Sequence, residues 1–182
     1  HSFPTRRSSD LQLIARRIRE MRVYCEIIPC SAVATKKGVL NILGTSPSAI
    51  ILSGGPQSVY AENAPTAHQS LFENHIPILG ICYGLQVMAR VLGGKVERAE
   101  AREYGKAVLT CCNVSSILSR FEGGEETLVW MSHGDRLAQI PPGFDIDGVS
   151  DNTPYCVISD PKRKLYGIQF HPEVRSEERR VG

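Results

Sequence analysis

The sequence lacks the features that mark membrane, secreted and nucleic-acid-binding proteins. No apolar run in its 182 residues approaches the roughly 18 that a membrane-spanning helix needs. The first ten residues are polar and carry arginines, which is not the pattern of a secretory signal. Its 21 basic and 19 acidic residues leave a net charge of +2, without the basic excess typical of nucleic-acid binding. We therefore expect a cytoplasmic protein without membrane or nucleic-acid partners.

The six cysteines also lack the spacings that indicate a zinc site. None of them forms a C-x-x-C pair, and no histidine lies at zinc-finger spacing from them. We expect no metal site, and no disulfides in a reducing compartment. Most of the cysteines should be small buried hydrophobic residues, with Cys82 as the exception discussed below.

Both ends of the chain have little apolar content and no periodicity. His1–Leu11 and Arg175–Gly182 resemble translated sequencing-adapter sequence, and natural disordered tails are the alternative. We favour the first interpretation. The sequence then predicts one domain over residues 12–174, with non-native ends at 1–11 and 175–182.

Strands and helices alternate in the first half of the domain, whereas the second half contains strands joined by loops. An amphipathic helix from Leu11 is followed by strand and helix patterns at Val23–Ile28, Lys36–Leu43, Ala49–Ser53, Pro65–Asn74, Ile76–Ile81 and Tyr83–Leu92. Strand patterns then follow at Lys95–Leu109, Thr127–Met131, Ile146–Ser150, Tyr155–Ser159 and Leu165–Phe170, the last two as a hairpin. This order predicts a three-layer α/β fold with a mostly parallel sheet, flanking helices and an antiparallel extension.

The segment Gly80-Ile81-Cys82-Tyr83-Gly84 places a cysteine between a predicted strand and a predicted helix. The form G-x-C-x-G is that of a nucleophile elbow, in which small residues on either side permit a sharp turn. Such a turn raises the sulfur above the sheet, and the positive end of the helix favours the thiolate. The alternative is an inert cysteine buried at the end of a strand.

Two further segments complete a candidate catalytic constellation. His171 and Glu173 lie two positions apart after a predicted strand, so both face the same way and the carboxylate can orient the imidazole. The segment Ser53–Pro56 (SGGP) also follows a strand, and a backbone N–H there could contribute to an oxyanion hole. By itself that segment is equally typical of a tight turn.

Together these motifs resemble the class I, triad-type glutamine amidotransferases over residues 12–174. The order of G-G-P, then G-I-C-Y-G-L-Q, then H-P-E-V carries the resemblance. The segments Trp130–Asp135 (WMSHGD), Arg102–Gly105 (REYG) and Gln12–Tyr24 are similar to the GMP synthase branch. The family implies a flavodoxin-like fold.

The resemblance also implies roles for individual residues. It makes Cys82 the nucleophile, His171 the general base and then acid, and Glu173 the residue that orients the imidazole. The remaining implied positions are the oxyanion donors Gly55 and Tyr83, the substrate-side residue Gln86, and the residues that bind the glutamine α-substituents, Gly134 and Asp135. His133 is expected to serve loop architecture rather than catalysis.

The implied reaction is the hydrolysis of L-glutamine to glutamate and ammonia through a cysteine thioester, without metal or organic cofactor. The ammonia would reach a synthetase domain that uses ATP and Mg²⁺ to aminate xanthosine monophosphate (XMP) to GMP. No such domain is found in these residues, so we expect the sequence to be a fragment. The alternatives are the glutaminase of another branch, such as one serving anthranilate or CTP synthesis, and a truncated inactive module.

Overall fold

A seven-stranded sheet runs through the computed structural model, which describes residues 6–55 and 58–174. The α-helices are Arg6–Glu20 (α1), Lys36–Leu43 (α2) and Tyr83–Val91 (α3). The strands are Ile50–Leu52 (β1), Ile78–Ile81 (β2), Lys95–Cys111 (β3), Glu126–Gln139 (β4), Asp145–Ser150 (β5), Thr153–Asp160 (β6) and Leu165–Ile168 (β7). Short 3-10 helices lie at Cys30–Val33, Gln69–Phe72 and Ser116–Leu118.

The sheet is mixed, with parallel strands at one side only. Its order is β1-β2-β7-β6-β5-β3-β4, in which β1, β2 and β7 run parallel and the other neighbours are antiparallel. The predicted α/β class and antiparallel extension are confirmed. The sheet is not mostly parallel as predicted, because the strands after α3 are joined without crossover α-helices, and β3, β4, β5 and β6 pair antiparallel with all their neighbours.

Helices cover both faces of the parallel part, as a three-layer fold requires. Alternate residues of β1 point to opposite faces: Ile50 and Leu52 pack with the core under α2 and α3, and Ile51 packs with the core under α1. This distribution explains why the strand is continuously apolar in sequence. None of the described helices has the length and apolarity of a membrane span.

Several predicted elements are present in the structure, with boundaries close to those predicted. Helix α2 starts and ends where the sequence predicts, and the Thr35 hydroxyl accepts a hydrogen bond from the Gly38 N–H at its start. The predicted hairpin is formed by β6 and β7. In its turn, the Asp160 carboxylate accepts hydrogen bonds from the Arg163 backbone N–H (3.1 Å) and guanidinium (2.5 Å). Local capping and turn residues therefore define these boundaries.

Two predicted elements are wrong. Val23–Ile28 forms no strand and joins no sheet within the described residues, because β-strand pairing needs a neighbouring strand as well as apolar residues. The helix predicted over Pro65–Asn74 is reduced to Gln69–Phe72. The His68 N–H donates to the Val33 carbonyl (2.8 Å), and His68 has extended backbone angles, so the helix cannot begin earlier.

Two other expectations are only partly met. Of the six free cysteines, Cys111 and Cys156 are buried, whereas Cys30 and Cys112 are exposed. Of the ends expected to be non-native, residues 1–5 and 175–182 lie outside the described residues, and residues 6–11 form the first turns of α1. The domain bounds 12–174 stay a prediction.

Candidate active site

Cys82 lies at a sharp turn between β2 and α3. Its backbone angles, φ 52° and ψ −105°, fall in a region that L-residues with side chains rarely adopt. The Cys82 N–H donates to the Ile168 carbonyl (2.8 Å), which ties the turn to β7, and the Cys82 carbonyl accepts from the Gln86 N–H (3.2 Å). The side chain keeps partial exposure. The turn therefore holds a strained but accessible sulfur at the start of a helix.

The two glycines of the elbow are required by close approach of the backbone. A Cβ on Gly84 would overlap the carbonyl group of Leu52 in β1. A Cβ on Gly80 would lie 2.7 Å from the backbone nitrogen of Leu85. Helix α3 can thus pack directly against the parallel strands only because neither position carries a side chain.

His171 and Glu173 follow β7 and lie beside the elbow that carries Cys82. The His171 N–H donates to the Trp130 carbonyl (2.9 Å), which anchors the segment to β4. The His171 Nδ1 lies 2.7 Å from the Glu173 Oε1, and the imidazole also shares a hydrogen bond with Cys82. The structure therefore brings Cys82, His171 and Glu173 together in the order of nucleophile, base and orienting carboxylate.

The charge distribution around His171 favours the imidazolium. Burial of the imidazole opposes its charged form, but the hydrogen bonds to Cys82 and Glu173 outweigh burial and raise the pKa of His171 to about 10. The Glu173 side chain is almost completely buried, at 2% exposure, so its carboxylate acts at short range with little solvent screening. A positively charged histidine is thus held beside the sulfur at neutral pH.

Gly55 and Tyr83, the expected oxyanion donors, lie against each other. A Cβ on Gly55 would overlap the Tyr83 ring, so the loop after β1 passes directly over the residue that follows the nucleophile. Tyr83 is the first residue of α3, and its hydroxyl donates to the Pro65 carbonyl (2.7 Å). The two backbone segments that the sequence proposes for an oxyanion hole are therefore neighbours.

Strand β4 passes beside the elbow and carries the other predicted residues. The Ser132 carbonyl lies 3.8 Å from the Cys82 sulfur. Gly134 is half-buried, with open space where a Cβ would lie, and Asp135 is buried. The Asp135 carbonyl lies 3.0 Å from the His133 Nδ1, and His133 lies within strand β4 and not in a loop as expected.

Gln86, which the resemblance places beside the substrate, is a buried residue of α3. Its side chain is 3% exposed, and its amide nitrogen donates to the Asp135 carbonyl (2.9 Å) and to the Gln169 Oε1 (3.4 Å). Gln86 therefore joins α3 to β4 and to the segment after β7.

Gln169 is a site residue that the sequence motifs do not reveal. It is fully buried, and its amide nitrogen lies 3.5 Å from the Cys82 sulfur. Gln169 precedes His171 by two positions, just as His171 precedes Glu173 by two positions. Extending that alternation one step backwards would have found it.

No group of three or more potential metal-ligating side chains occurs within residues 6–55 and 58–174. The groups gathered around the Cys82 sulfur are an imidazole, a carboxylate and amides. They form a site suited to nucleophilic attack on a carbonyl carbon.

Comparison with known proteins identifies relatives over most of the chain. The model of the family "Glutamine amidotransferase class-I" matches residues 7–181. A curated GMP synthase (glutamine-hydrolysing) of Thermosynechococcus vestitus is 52% identical over 163 residues, covering 90% of this chain and 29% of that protein. The corresponding enzyme of Streptomyces coelicolor is 51% identical over 164 residues, with 90% and 30% covered. The chain thus spans about 30% of the length of these relatives.

Solved structures share the fold. A Thermoplasma acidophilum protein described as one of the subunits of a GMP synthase superposes with a TM-score of 0.75 at 25% identity, covering 91% of this chain and 79% of that one. A glutamine amidotransferase of Thermotoga maritima gives a TM-score of 0.71 at 22% identity, covering 91% and 71%. On the match of the family model along nearly its whole length, this chain belongs to the class I glutamine amidotransferase family.

Proposed function

We propose that this chain hydrolyses glutamine at Cys82 and supplies the ammonia to a synthetase that aminates XMP to GMP. The observation that carries the proposal is the hydrogen-bonded series Cys82, His171 and Glu173 at a strained elbow. The GMP synthase names of its relatives support the choice of acceptor.

The geometry suggests the following steps. The Cys82 thiolate attacks the side-chain amide carbon of glutamine, and the developing oxyanion is held by the N–H groups of Gly55 and Tyr83. The His171 imidazolium gives its proton to the departing nitrogen, which leaves as ammonia. The neutral imidazole then takes a proton from water, whose hydroxide displaces the sulfur from the γ-glutamyl thioester and releases glutamate. Glu173 keeps the imidazole in orientation throughout.

Substrate binding and partners are part of the proposal. Gly134 and Asp135 on β4 are assigned to the α-substituents of glutamine. The hydrolytic step needs no cofactor, and ATP and Mg²⁺ belong to the synthetase domain or subunit. Six free cysteines support a reducing, cytoplasmic location, and a net charge of +2 supports the assignment of no nucleic-acid partner.

The test is a glutaminase assay of the chain alone and with a separately supplied XMP-aminating synthetase, ATP and Mg²⁺. We expect glutamate release, GMP formation only with the synthetase, and loss of both in Cys82→Ala. Unchanged glutamate release by Cys82→Ala would refute the proposal. Coupling to an anthranilate or CTP synthetase instead would indicate another branch, and no hydrolysis with any partner would indicate an inactive module.

Covalent labelling gives a second check on the nucleophile. A glutamine-like chloroketone should modify Cys82 faster than the exposed Cys30 and Cys112, which serve as internal controls. Equal labelling of all three cysteines would contradict the assignment.

A further inference from the structure

A buried chain of amides connects β4 to the nucleophilic sulfur. It starts at the Asp135 backbone carbonyl, passes through the side chain of Gln86, continues through the side chain of Gln169 and ends at the Cys82 sulfur. The three distances are 2.9, 3.4 and 3.5 Å. Both glutamines are buried, at 3% and 0% exposure, so water does not compete for these bonds.

The orientation of each amide follows from the one before it. A backbone carbonyl only accepts hydrogen bonds, so the end of the Gln86 amide at Asp135 must be its NH₂ group. The second hydrogen of that group points to Gln169, which must present its oxygen. The NH₂ group of Gln169 is then left facing Cys82. The carbonyl on β4 thus determines that the sulfur meets a donor and not an acceptor.

The other groups around the sulfur make this donor significant. His171 contributes a second donor, the N-terminal end of α3 contributes partial positive charge, and the Ser132 carbonyl contributes an acceptor at 3.8 Å. The Ser132 oxygen can bind only the protonated thiol. Gln169 and His171 both favour the thiolate, and Gln169 does so without being able to take a proton from it.

We propose that Gln169 is a further catalytic residue that donates a hydrogen bond to the Cys82 sulfur, and that Gln86 is the positioning residue that fixes its amide. This inference rests on the proposed function in one respect, namely that Cys82 is the nucleophile. A hydrogen bond to a charged sulfur is stronger than one to a neutral thiol, so its effect is on ionisation.

The test measures how fast iodoacetamide alkylates Cys82 as a function of pH, by mass spectrometry of the Cys82 peptide. Alkylation requires the thiolate and needs no glutamine, so the result is independent of glutaminase activity. Gln169→Met keeps the volume but removes the donor, and should move the low-pH midpoint of the profile upward by about one to two pH units. Gln169→Glu places an acceptor there and should move it further.

Gln86→Met should shift the same midpoint upward by a smaller amount, because it only releases the Gln169 amide. The double variant should shift it no more than Gln169→Met alone, since both changes remove one interaction. The buried Cys111 and Cys156 must stay unlabelled, which shows in the same spectra that each variant is folded. If Gln169→Met fails that criterion, Gln86→Met carries the test.

An unchanged midpoint in folded Gln169→Met would overturn the proposal. A midpoint shift in the double variant equal to the sum of the two single shifts would also overturn it, since Gln86 and Gln169 would then act on the sulfur independently. An unchanged midpoint in folded Gln86→Met would overturn the role assigned to Gln86. Normal midpoint shifts in a protein that does not hydrolyse glutamine would leave the hydrogen-bond chain intact and refute the proposed function instead.

Discussion

The helix that follows the nucleophile and the segment that follows α1 are both rich in apolar residues, yet their packing is opposite. In α3, the seven residues from Tyr83 to Ala89 are all buried. Between residues 21 and 28, Met21, Val23, Tyr24, Ile27 and Ile28 are 44–83% exposed. Helix α3 has β1, β2 and β7 beneath it, whereas the 21–28 segment pairs with no described strand. Apolar composition determines which side chains can be buried, and the neighbouring elements determine which ones are.

This difference in packing predicts which substitutions will have large effects on stability or activity and which will have small ones. Substitutions at the elbow act against backbone and buried charge, which cannot move away cheaply. Substitutions in the 21–28 segment change apolar side chains that are already 44–83% exposed.

The largest effect is expected for Gly84→Ala. Its methyl group would overlap the Leu52 carbonyl, and a backbone atom in a parallel sheet cannot shift without disturbing β1. We expect the free energy of unfolding to fall by about 3 kcal/mol. Urea unfolding would measure it, with Gly123→Ala as the control, since a Cβ there has nothing within 4 Å. Equal midpoints for the two variants would contradict the packing argument.

The next effect is on activity. Glu173→Gln keeps the shape of the side chain but removes the negative charge beside the His171 Nδ1. The imidazolium loses its partner, and we expect glutamine turnover to fall about 100-fold. Steady-state glutaminase kinetics would measure it, with the exposed Glu62→Gln as a control for loss of one negative charge. Turnover within a factor of two of the parent would remove Glu173 from the catalytic group.

A third effect depends on pH. Because the pKa of His171 is raised from 6.5 to about 10, its imidazolium stabilises the folded chain fully below pH 6.5, and this stabilisation is lost as the pH rises through 10. The parent should therefore exceed His171→Gln in unfolding free energy by more at pH 6.5 than at pH 10. We expect the two differences to be on the order of 2 kcal/mol apart. Urea titrations of both proteins across this range would measure it, and a gap that widens with pH would be the wrong sign.

The smallest effect is expected in the exposed segment. Ile27 is 45% exposed, so Ile27→Ser should lower the unfolding free energy by no more than about 1 kcal/mol. The matched control is Ile81→Ser, the same chemical change at a residue 2% exposed, which should cost several times more. Thermal unfolding would compare them. Similar losses in both variants would show that the 21–28 segment is packed in solution.

The sequence predicts the elbow well because its cues are local. Glycines at both sides of Cys82, an apolar strand before it and a helical pattern after it all lie within residues 76–92. Strand β4 is predicted only as Thr127–Met131 but extends to Gln139. The polar residues His133 and Asp135 occupy positions that face the interior, so they interrupt the expected alternation at the site itself.

What could not be predicted depends on contacts between distant segments. The strand assigned to Val23–Ile28 has suitable residues, but pairing is decided by a neighbour and not by the segment. Gln169 resembles any polar residue at a strand end in the sequence, and its role depends on Gln86 of α3, which bonds both to Gln169 and to the Asp135 carbonyl of β4. The triad residues were found because motif spacing encodes them, whereas the hydrogen bonds between the Gln86 and Gln169 amides depend on how α3 packs and cannot be predicted from either motif.

The backbone of Cys82 has a consequence for the molecule as a whole. A side chain at φ 52° and ψ −105° costs on the order of 1–3 kcal/mol, a sizeable share of the ~5–15 kcal/mol that keeps a typical domain folded. Glycine would relieve most of that cost but would remove the sulfur. The folded chain is thus less stable than it would be with a relaxed backbone at this turn. That stability cannot be recovered by a glycine at position 82 without loss of the nucleophile.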